Sequence, residues 1–187
     1  RSRGLGDVYK RQVLDGSYDF MYLNNSDSNS NSTLTHTLAD TFKVASNNDT
    51  NASGSNYVFY AWEEIPGYSR IGTYQGNGNS NGPYIDCGFR PAFILTKSTS
   101  NGSYWWEMVD NKRALYNPSD KTLYANKTDS EYSSGYDKDI YANGFKPRSG
   151  NGGHNDNAET YLFMAFADQA GVTPVSYTHL TLPTIAI

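Results

Sequence analysis

Charged residues and cysteine are both scarce in this chain. Only 18% of its 187 residues are charged, and Cys87 is the single cysteine. One cysteine cannot form an intrachain disulfide or a cysteine-based zinc site, and its strand-like surroundings predict a buried, inert thiol. No run approaches the ~18 apolar residues that span a bilayer. The absence of a basic patch argues against nucleic acid as a partner.

Aromatic and turn-forming residues dominate instead. The chain contains 16 tyrosines and 17 glycines, and Asn, Ser and Thr make up much of the remainder. Tyrosine favours strands, whereas Asn, Ser and Gly favour turns because they hydrogen-bond the local backbone or tolerate positive φ. The pattern predicts an all-β fold, an antiparallel β-sandwich with short strands and jelly-roll-like connectivity.

The two ends of the chain differ from its interior. Residues 1–12 and 176–187 lack the Asn/Gly/Tyr character and resemble translated sequencing-adapter read-through, so we expect neither to belong to the native protein. Residues 170–175 are predicted to be a linker. The formal net charge is −4, and the interior is more acidic without the basic N-terminal segment. An acidic interior disfavours anionic partners.

An internal repeat organises the rest of the sequence. Three blocks recur in the same order in the second half: Tyr22-Leu23-Asn24 at Tyr124-Ala125-Asn126, Phe42-Lys43 at Phe145-Lys146, and Tyr57, Phe59 and Ala61 at Tyr161, Phe163 and Ala165. Residues 13–64 are therefore predicted to be the C-terminal half of one repeat, and residues 65–169 a complete second copy. The half copy lacks counterparts of residues 65–114, so we expect it either to pack against the complete copy or to stay loosely ordered.

The repeat also predicts conformation. Residues 159–168 alone fit either a helix or a strand, but the matching segment 57–64 is rich in Val, Tyr, Phe and Trp. Because two copies of one unit should share a conformation, both segments are predicted to be strands. An apolar run without alternation indicates a strand that is covered on both faces.

Further strands are predicted at 68–75, 91–98 and 103–109, with a short one between Asn143 and Pro147. Asn101-Gly102 indicates a two-residue hairpin turn, because both central residues of such a turn need positive φ. Alternation along the strand that follows places Trp106 in the core and Trp105 on the opposite face.

Several short motifs of the second copy resemble a known family. They are Gly82-Pro83-Tyr84, the run from Gly88 to Phe93, Asp110-Asn111-Lys112-Arg113, Gly144-Phe145-Lys146 and Met164-Ala165-Phe166-Ala167. Together they resemble an uncharacterised module of tail-appendage and other structural proteins of marine bacteriophages, which often follows concanavalin-like lectin domains. The resemblance implies a role at the virion surface and supplies no catalytic residues.

Sugar binding is the sharpest site prediction. Sugars stack on exposed aromatic rings between polar loops, and the candidates are Trp105, Tyr74, Tyr84 and Tyr136. Neither a cofactor nor a metal is expected. Calcium stays open as an alternative at the oxygen-rich loops 47–51 and 151–157, although each supplies only one carboxylate.

An enzyme is not expected. Glu63 and Glu64 are adjacent on a predicted strand and point to opposite faces, so they cannot form the carboxylate pair of a glycosidase. His36 and His154 lack partners at the sequence spacing of a nucleophile or a metal ligand. The other carboxylates that could take part are Glu107, Asp110, Asp137 and Asp139.

These observations predict a non-enzymatic structural or receptor-binding module of a phage tail fibre or appendage, located at the virion surface. Its expected partners are other tail subunits, further copies of itself and a host-surface glycan, with no membrane and no nucleic acid. The alternative is a carbohydrate-binding module of a secreted or cell-surface bacterial protein.

Overall fold

The computed structural model describes residues 7–11, 18–32, 48, 51–58 and 60–168. Within these ranges every regular element is a β-strand and every strand pair is antiparallel. The strands are β1 (Asp7–Arg11), β2 (Tyr18–Tyr22), β3 (Ser30–Ser32), β4 (Ser69–Gln75), β5 (Ile85–Asp86), β6 (Phe93–Ser98), β7 (Glu107–Asp110), β8 (Leu123–Tyr124), β9 (Lys138–Tyr141), β10 (Gly144–Pro147) and β11 (Thr160–Phe166).

Two sheets form a sandwich, and a third lies at the N-terminal side of the chain. The larger sheet has the order β4-β11-β6-β7-β8, its partner has the order β5-β10-β9, and the third is β1-β2-β3. Both sandwich sheets contribute to one core: Ile85, Cys87, Phe89, Ile94, Ile140, Phe145, Phe163 and Ala165. The predicted all-β antiparallel sandwich is confirmed. The jelly-roll-like connectivity and the tandem arrangement stay predictions.

β11 is the central strand of the larger sheet. It pairs with β4 on one side and β6 on the other, and its residues 161–165 are all buried. Phe163 and Ala165 face the core between the sheets, whereas Leu162 and Met164 join a second cluster. The prediction of a strand covered on both faces is therefore confirmed, and the reason is its central place in the sheet.

The second cluster is completed by the N-terminal segment. Met21 of β2 is 4% exposed and packs with Leu95, Trp106, Leu162 and Met164. Trp106 Nε1–H donates to the carbonyl oxygen of Tyr22 at 2.8 Å. The backbone N–H of Asn29 donates to the carbonyl oxygen of Thr99 at 2.6 Å. Residues 21–29 thus contact the sandwich through apolar packing and through hydrogen bonds.

The prediction of a strand at residues 57–64 is wrong. The described residues of this segment belong to no strand, and Val58, Tyr60 and Trp62 are 40%, 68% and 55% exposed. Strand-forming side chains adopt a strand only where neighbours offer hydrogen bonds and packing. β11 has β4 and β6 beside it, whereas the described part of the chain offers no such pair of neighbours to residues 57–64.

The predicted two-residue turn at Asn101-Gly102 is also wrong. β6 ends at Ser98 and β7 begins at Glu107, so the connection takes residues 99–106, and Gly102 does not have positive φ. The buried Lys97 ammonium donates to the carbonyl oxygens of Ser98 at 2.7 Å and Asn101 at 3.3 Å. These hydrogen bonds stabilise a wider loop where a tight turn was predicted.

Most of the remaining strand predictions are confirmed. β4, β6 and β10 occupy the segments predicted for them, β5 lies in the strand-like run before Cys87, β7 takes only the end of 103–109, and β9 was not predicted. Trp106 is fully buried and Trp105 is half-buried on the other side, as alternation required.

Cys87 is buried, and burial raises the pKa of its thiol to about 12, which agrees with an inert thiol. None of the described residues form a helix of the length and apolar character that crossing a bilayer requires.

Candidate functional site

Two of the four aromatic candidates are largely covered by neighbouring side chains. Tyr74 packs against the core between the sheets, its ring stacks on Tyr161 with centroids 5.2 Å apart, and its hydroxyl donates to the carbonyl oxygen of His154 at 2.7 Å. Trp105 has the Lys127 ammonium 4.7 Å from its ring centroid. The ring of Tyr74 is thus committed to the interior, and one face of Trp105 is occupied by a cation.

The other two aromatic candidates, Tyr84 and Tyr136, have different surroundings. Tyr84 is 51% exposed beside β5 and meets Tyr141 edge to face at 5.9 Å. Tyr136 is half-buried among other rings, with Tyr132 at 5.6 Å and His154 at 6.0 Å. The structure therefore does not bring the four predicted residues together in one binding site.

A buried charge cluster is formed by Glu107, Lys138 and His154, together with the half-buried Ser149. Glu107 comes from β7, Lys138 from β9, and the other two from the loop between β10 and β11. Glu107 Oε2 lies 2.7 Å from Lys138 Nζ and 3.1 Å from His154 Nδ1, and all three of these side chains have no exposed surface. His154 Nε2 lies 3.0 Å from Ser149 Oγ.

The structure overturns the view that His154 lacks partners. Ser149 is five positions away in sequence, but Glu107 is reached only because the loop folds onto β7. A Cβ at Gly153 would lie 2.0 Å from Glu107 Oε1, so only glycine lets the loop approach this closely. No local sequence signal joins Glu107 to His154, because the contact depends on the sheet arrangement.

Electrostatics fix the charges within this cluster. Burial raises the pKa of Glu107, but Lys138 and His154 outweigh burial and bring it down to about 2. Burial and the nearby Lys138 lower the pKa of His154, with Glu107 acting in the opposite direction. At neutral pH Glu107 is therefore a carboxylate and His154 a neutral imidazole, whose Nδ1–H donates to Glu107.

The order of atoms, serine to histidine to carboxylate, is also that of the triad in serine hydrolases. Here the same carboxylate oxygen is shared with Lys138, the imidazole has no exposed surface, and the Ser149 hydroxyl also lies 2.9 Å from the carbonyl oxygen of Gly135. These contacts tie β7, β9 and the β10–β11 loop to one another. Their evident effect is on stability.

Acid is expected to destabilise the protein through this cluster. The unfolded state takes up a proton at His154 near pH 6.5, whereas the folded state resists it because the pKa of His154 is lowered. The free energy of unfolding should therefore decrease as pH falls from about 7 to about 5, and again between about 4.5 and about 2 as Glu107 is protonated. Thermal melts across this pH range measure the effect.

The histidine contribution can be tested by substitution. A His154→Gln variant should lose much of the decrease between about pH 7 and about pH 5. Equal pH profiles for the wild type and His154→Gln would contradict the assignment.

A surface cleft of about 440 Å³ is lined in part by Asp137, the residue that directly precedes Lys138 in the chain. Its two walls are the loops 114–120 and 133–137, and its lining comprises Ala114, Leu115, Tyr116, Asn117, Pro118, Asp120, Ser133, Ser134 and Asp137. Neither Ser149 nor His154 lines it. Tyr116 at its edge is 84% exposed and Leu115 is 73% exposed. Sequence reasoning missed this site, since residues 121–132 separate its two walls and the walls meet only in the fold.

Hydrogen bonds hold the walls of the cleft in place. The Asn117 amide accepts from the backbone N–H of Ile140 and donates to the carbonyl oxygen of the same residue, both at 2.9 Å. Ser119 pairs with Lys138 through the backbone. On the other wall, the carbonyl oxygen of Asp137 accepts from the N–H of Arg148 at 2.8 Å. The cleft is therefore built on β9 and is preorganised.

Three other candidate carboxylates and one of the candidate calcium loops have partners within the protein. Asp110 binds Arg113, Asp139 lies 3.4 Å from Arg148, and Glu64 lies 3.3 Å from Arg70. In the loop 151–157 the buried Asn155 amide is used within the protein, by Asn77, Asn79 and Ser149. Among the described residues no three His, Cys, Asp or Glu side chains group as metal ligands. His36 and most of the loop 47–51 lie outside the described residues.

Comparison with known proteins gives a family and no characterised relative. Residues 6–170 match the model of the family described as Domain of unknown function (DUF7483), and the chain therefore belongs to that family. No curated protein and no solved structure matches the chain.

Proposed function

We propose that this member of the family is a non-enzymatic structural and receptor-binding module of a phage tail fibre or appendage, displayed at the virion surface. The observation that carries the proposal is the open, preorganised cleft with Tyr116 and Leu115 exposed at its edge. Binding residues are often carried by loops on a rigid scaffold, and exposed apolar side chains beside polar ones mark interaction sites.

The motifs that resemble the phage module have architectural roles, which supports a structural function. A Cβ at Gly144 would lie 2.0 Å from the carbonyl oxygen of Ile85, and one at Gly82 would lie 2.6 Å from that of Pro147. These glycines allow close approach of the chain segments around β5 and β10. In the Asp110–Arg113 motif, the Asp110 carboxylate accepts from the backbone N–H groups of Lys112 and Arg113 and so fixes a turn.

Contacts with other tail subunits, or with further copies of the chain, would use the exposed apolar segment 58–65. Tyr60 and Trp62 stack on each other there with centroids 6.4 Å apart, and Ile65 is exposed. The alternative function, a carbohydrate-binding module of a secreted or cell-surface bacterial protein, is favoured by the same cleft. The two proposals therefore differ in location more than in chemistry.

Mass spectrometry of purified fractions tests the location. Peptides of this chain are expected in density-banded virus particles and not in the secreted protein fraction of bacterial cells. Genes for capsid, terminase or tail proteins are expected beside its coding sequence. Peptides confined to the secreted fraction, together with neighbouring genes for polysaccharide degradation, would favour the alternative.

A further inference from the structure

We infer that the cleft between loops 114–120 and 133–137 binds an uncharged hexopyranose unit of a surface glycan. The inference rests on the proposed receptor-binding function and names its ligand class. The volume of the cleft, about 440 Å³, lies within the range of small-molecule sites, about 300–1,000 Å³. The cleft has room for a sugar ring and part of its neighbour.

The apolar part of the lining matches one face of a sugar ring. A pyranose presents C–H groups on its faces and hydroxyls around its rim, and aromatic rings with one apolar face and one polar end suit such a ligand. Tyr116 and Leu115 offer exposed apolar surface at the edge of the cleft, with Pro118 in the wall beside them. Among the tyrosines whose exposure the structure describes, Tyr116 presents the largest fraction of its surface, whereas Tyr84 and Tyr141 partly cover each other.

The polar part of the lining matches the rim hydroxyls. Ser133, Ser134 and Asp137 line the cleft, and the two serines are exposed while Asp137 is half-buried. A hydroxyl both donates and accepts, and a carboxylate accepts, so together they can satisfy sugar hydroxyls. The amide of Asn117 is already used by Ile140 and serves to hold the wall.

Charge decides which sugars fit. The lining contains two carboxylates, Asp120 and Asp137, and no Lys, Arg or His. The ammonium of Lys121 lies 3.9 Å from Asp120 and so offsets only one of them. A negative potential disfavours anions, and uronic acids, sialic acids and phosphorylated sugars should therefore bind more weakly than neutral hexoses.

Binding is tested by calorimetric titration with neutral trisaccharides of glucose, galactose and mannose, and with trigalacturonate as the acidic counterpart. Tyr116→Ala and Asp137→Asn should each weaken binding of the preferred neutral trisaccharide by about tenfold or more, which corresponds to about 1.4 kcal/mol. Tyr84→Ala removes an exposed tyrosine outside the cleft and should leave affinity within about twofold. Thermal melts of all three variants check that the fold is retained.

The outcomes separate this inference from the proposed function. Wild-type binding that survives Tyr116→Ala and Asp137→Asn would overturn the site while leaving a receptor-binding module in place. Tighter binding of trigalacturonate than of every neutral trisaccharide would overturn the charge argument. If no trisaccharide binds but the chain is found in virus particles, the sugar site fails and the structural role stands. Absence from virus particles, with a functional sugar site, would instead remove the phage assignment.

Discussion

Glu107→Gln is expected to lower the free energy of unfolding by about 3–5 kcal/mol, because it leaves a buried ammonium without its counter-charge. Lys138 Nζ lies 2.7 Å from Glu107 Oε2, and neither side chain has exposed surface. Glutamine keeps the size of the side chain, so a cavity cannot explain the loss. Removal of one partner from a buried ion pair costs more than the pair itself contributes, since the remaining charge stays desolvated.

Urea unfolding at neutral pH measures this effect, and two further variants control it. Asp139→Asn removes the carboxylate of the more exposed pair with Arg148 and should cost about 1 kcal/mol or less. The double variant Glu107→Leu with Lys138→Met removes both charges and should recover much of the lost stability. A Glu107→Gln variant no less stable than Asp139→Asn would contradict the buried pair.

The buried charge cluster shows where sequence reasoning reaches its limit. Strand alternation correctly put Trp106 in the core, since that rule needs only the residues at the start of β7 and just before it. It gave no sign that Glu107 is buried with a lysine and a histidine. Lys138 comes from a strand that was not predicted, and His154 from a Gly/Asn loop that reads as solvent-exposed. Their proximity follows from sheet packing, which local patterns do not encode.

The segments 57–64 and 160–166 make the same point with matched sequences. Both have the composition of a strand, and only the second, β11, forms one. It lies between β4 and β6, which supply its backbone partners on both sides. The candidate sugar site was missed for a related reason, because the predicted aromatic residues were chosen by type. Tyr74 is in fact held inside by Tyr161 and His154, whereas Tyr116 is exposed.

Trp106→Ala should destabilise the protein by about 3–5 kcal/mol, the cost of a large cavity in a packed cluster. Trp106 is fully buried among Met21, Leu95, Leu162 and Met164. The matched control is Trp62→Ala, because Trp62 is 55% exposed and its loss should change stability by about 0.5 kcal/mol or less. Denaturant unfolding followed by far-ultraviolet circular dichroism compares the two variants without relying on tryptophan fluorescence.

Trp106→Phe separates packing from anchoring of the N-terminal segment. Phenylalanine retains most of the buried volume but removes the Nε1–H that donates to Tyr22. Hydrogen exchange should therefore quicken at residues 20–32 while β11 stays protected, because β11 is held by β4 and β6 on both sides. The described strands of the N-terminal segment belong to a separate sheet, whereas β11 pairs with two strands of the sandwich, so the segment should also exchange faster in the wild type. Uniformly slow exchange across residues 20–32 and β11 in both proteins would show that the segment does not depend on Trp106 for its attachment.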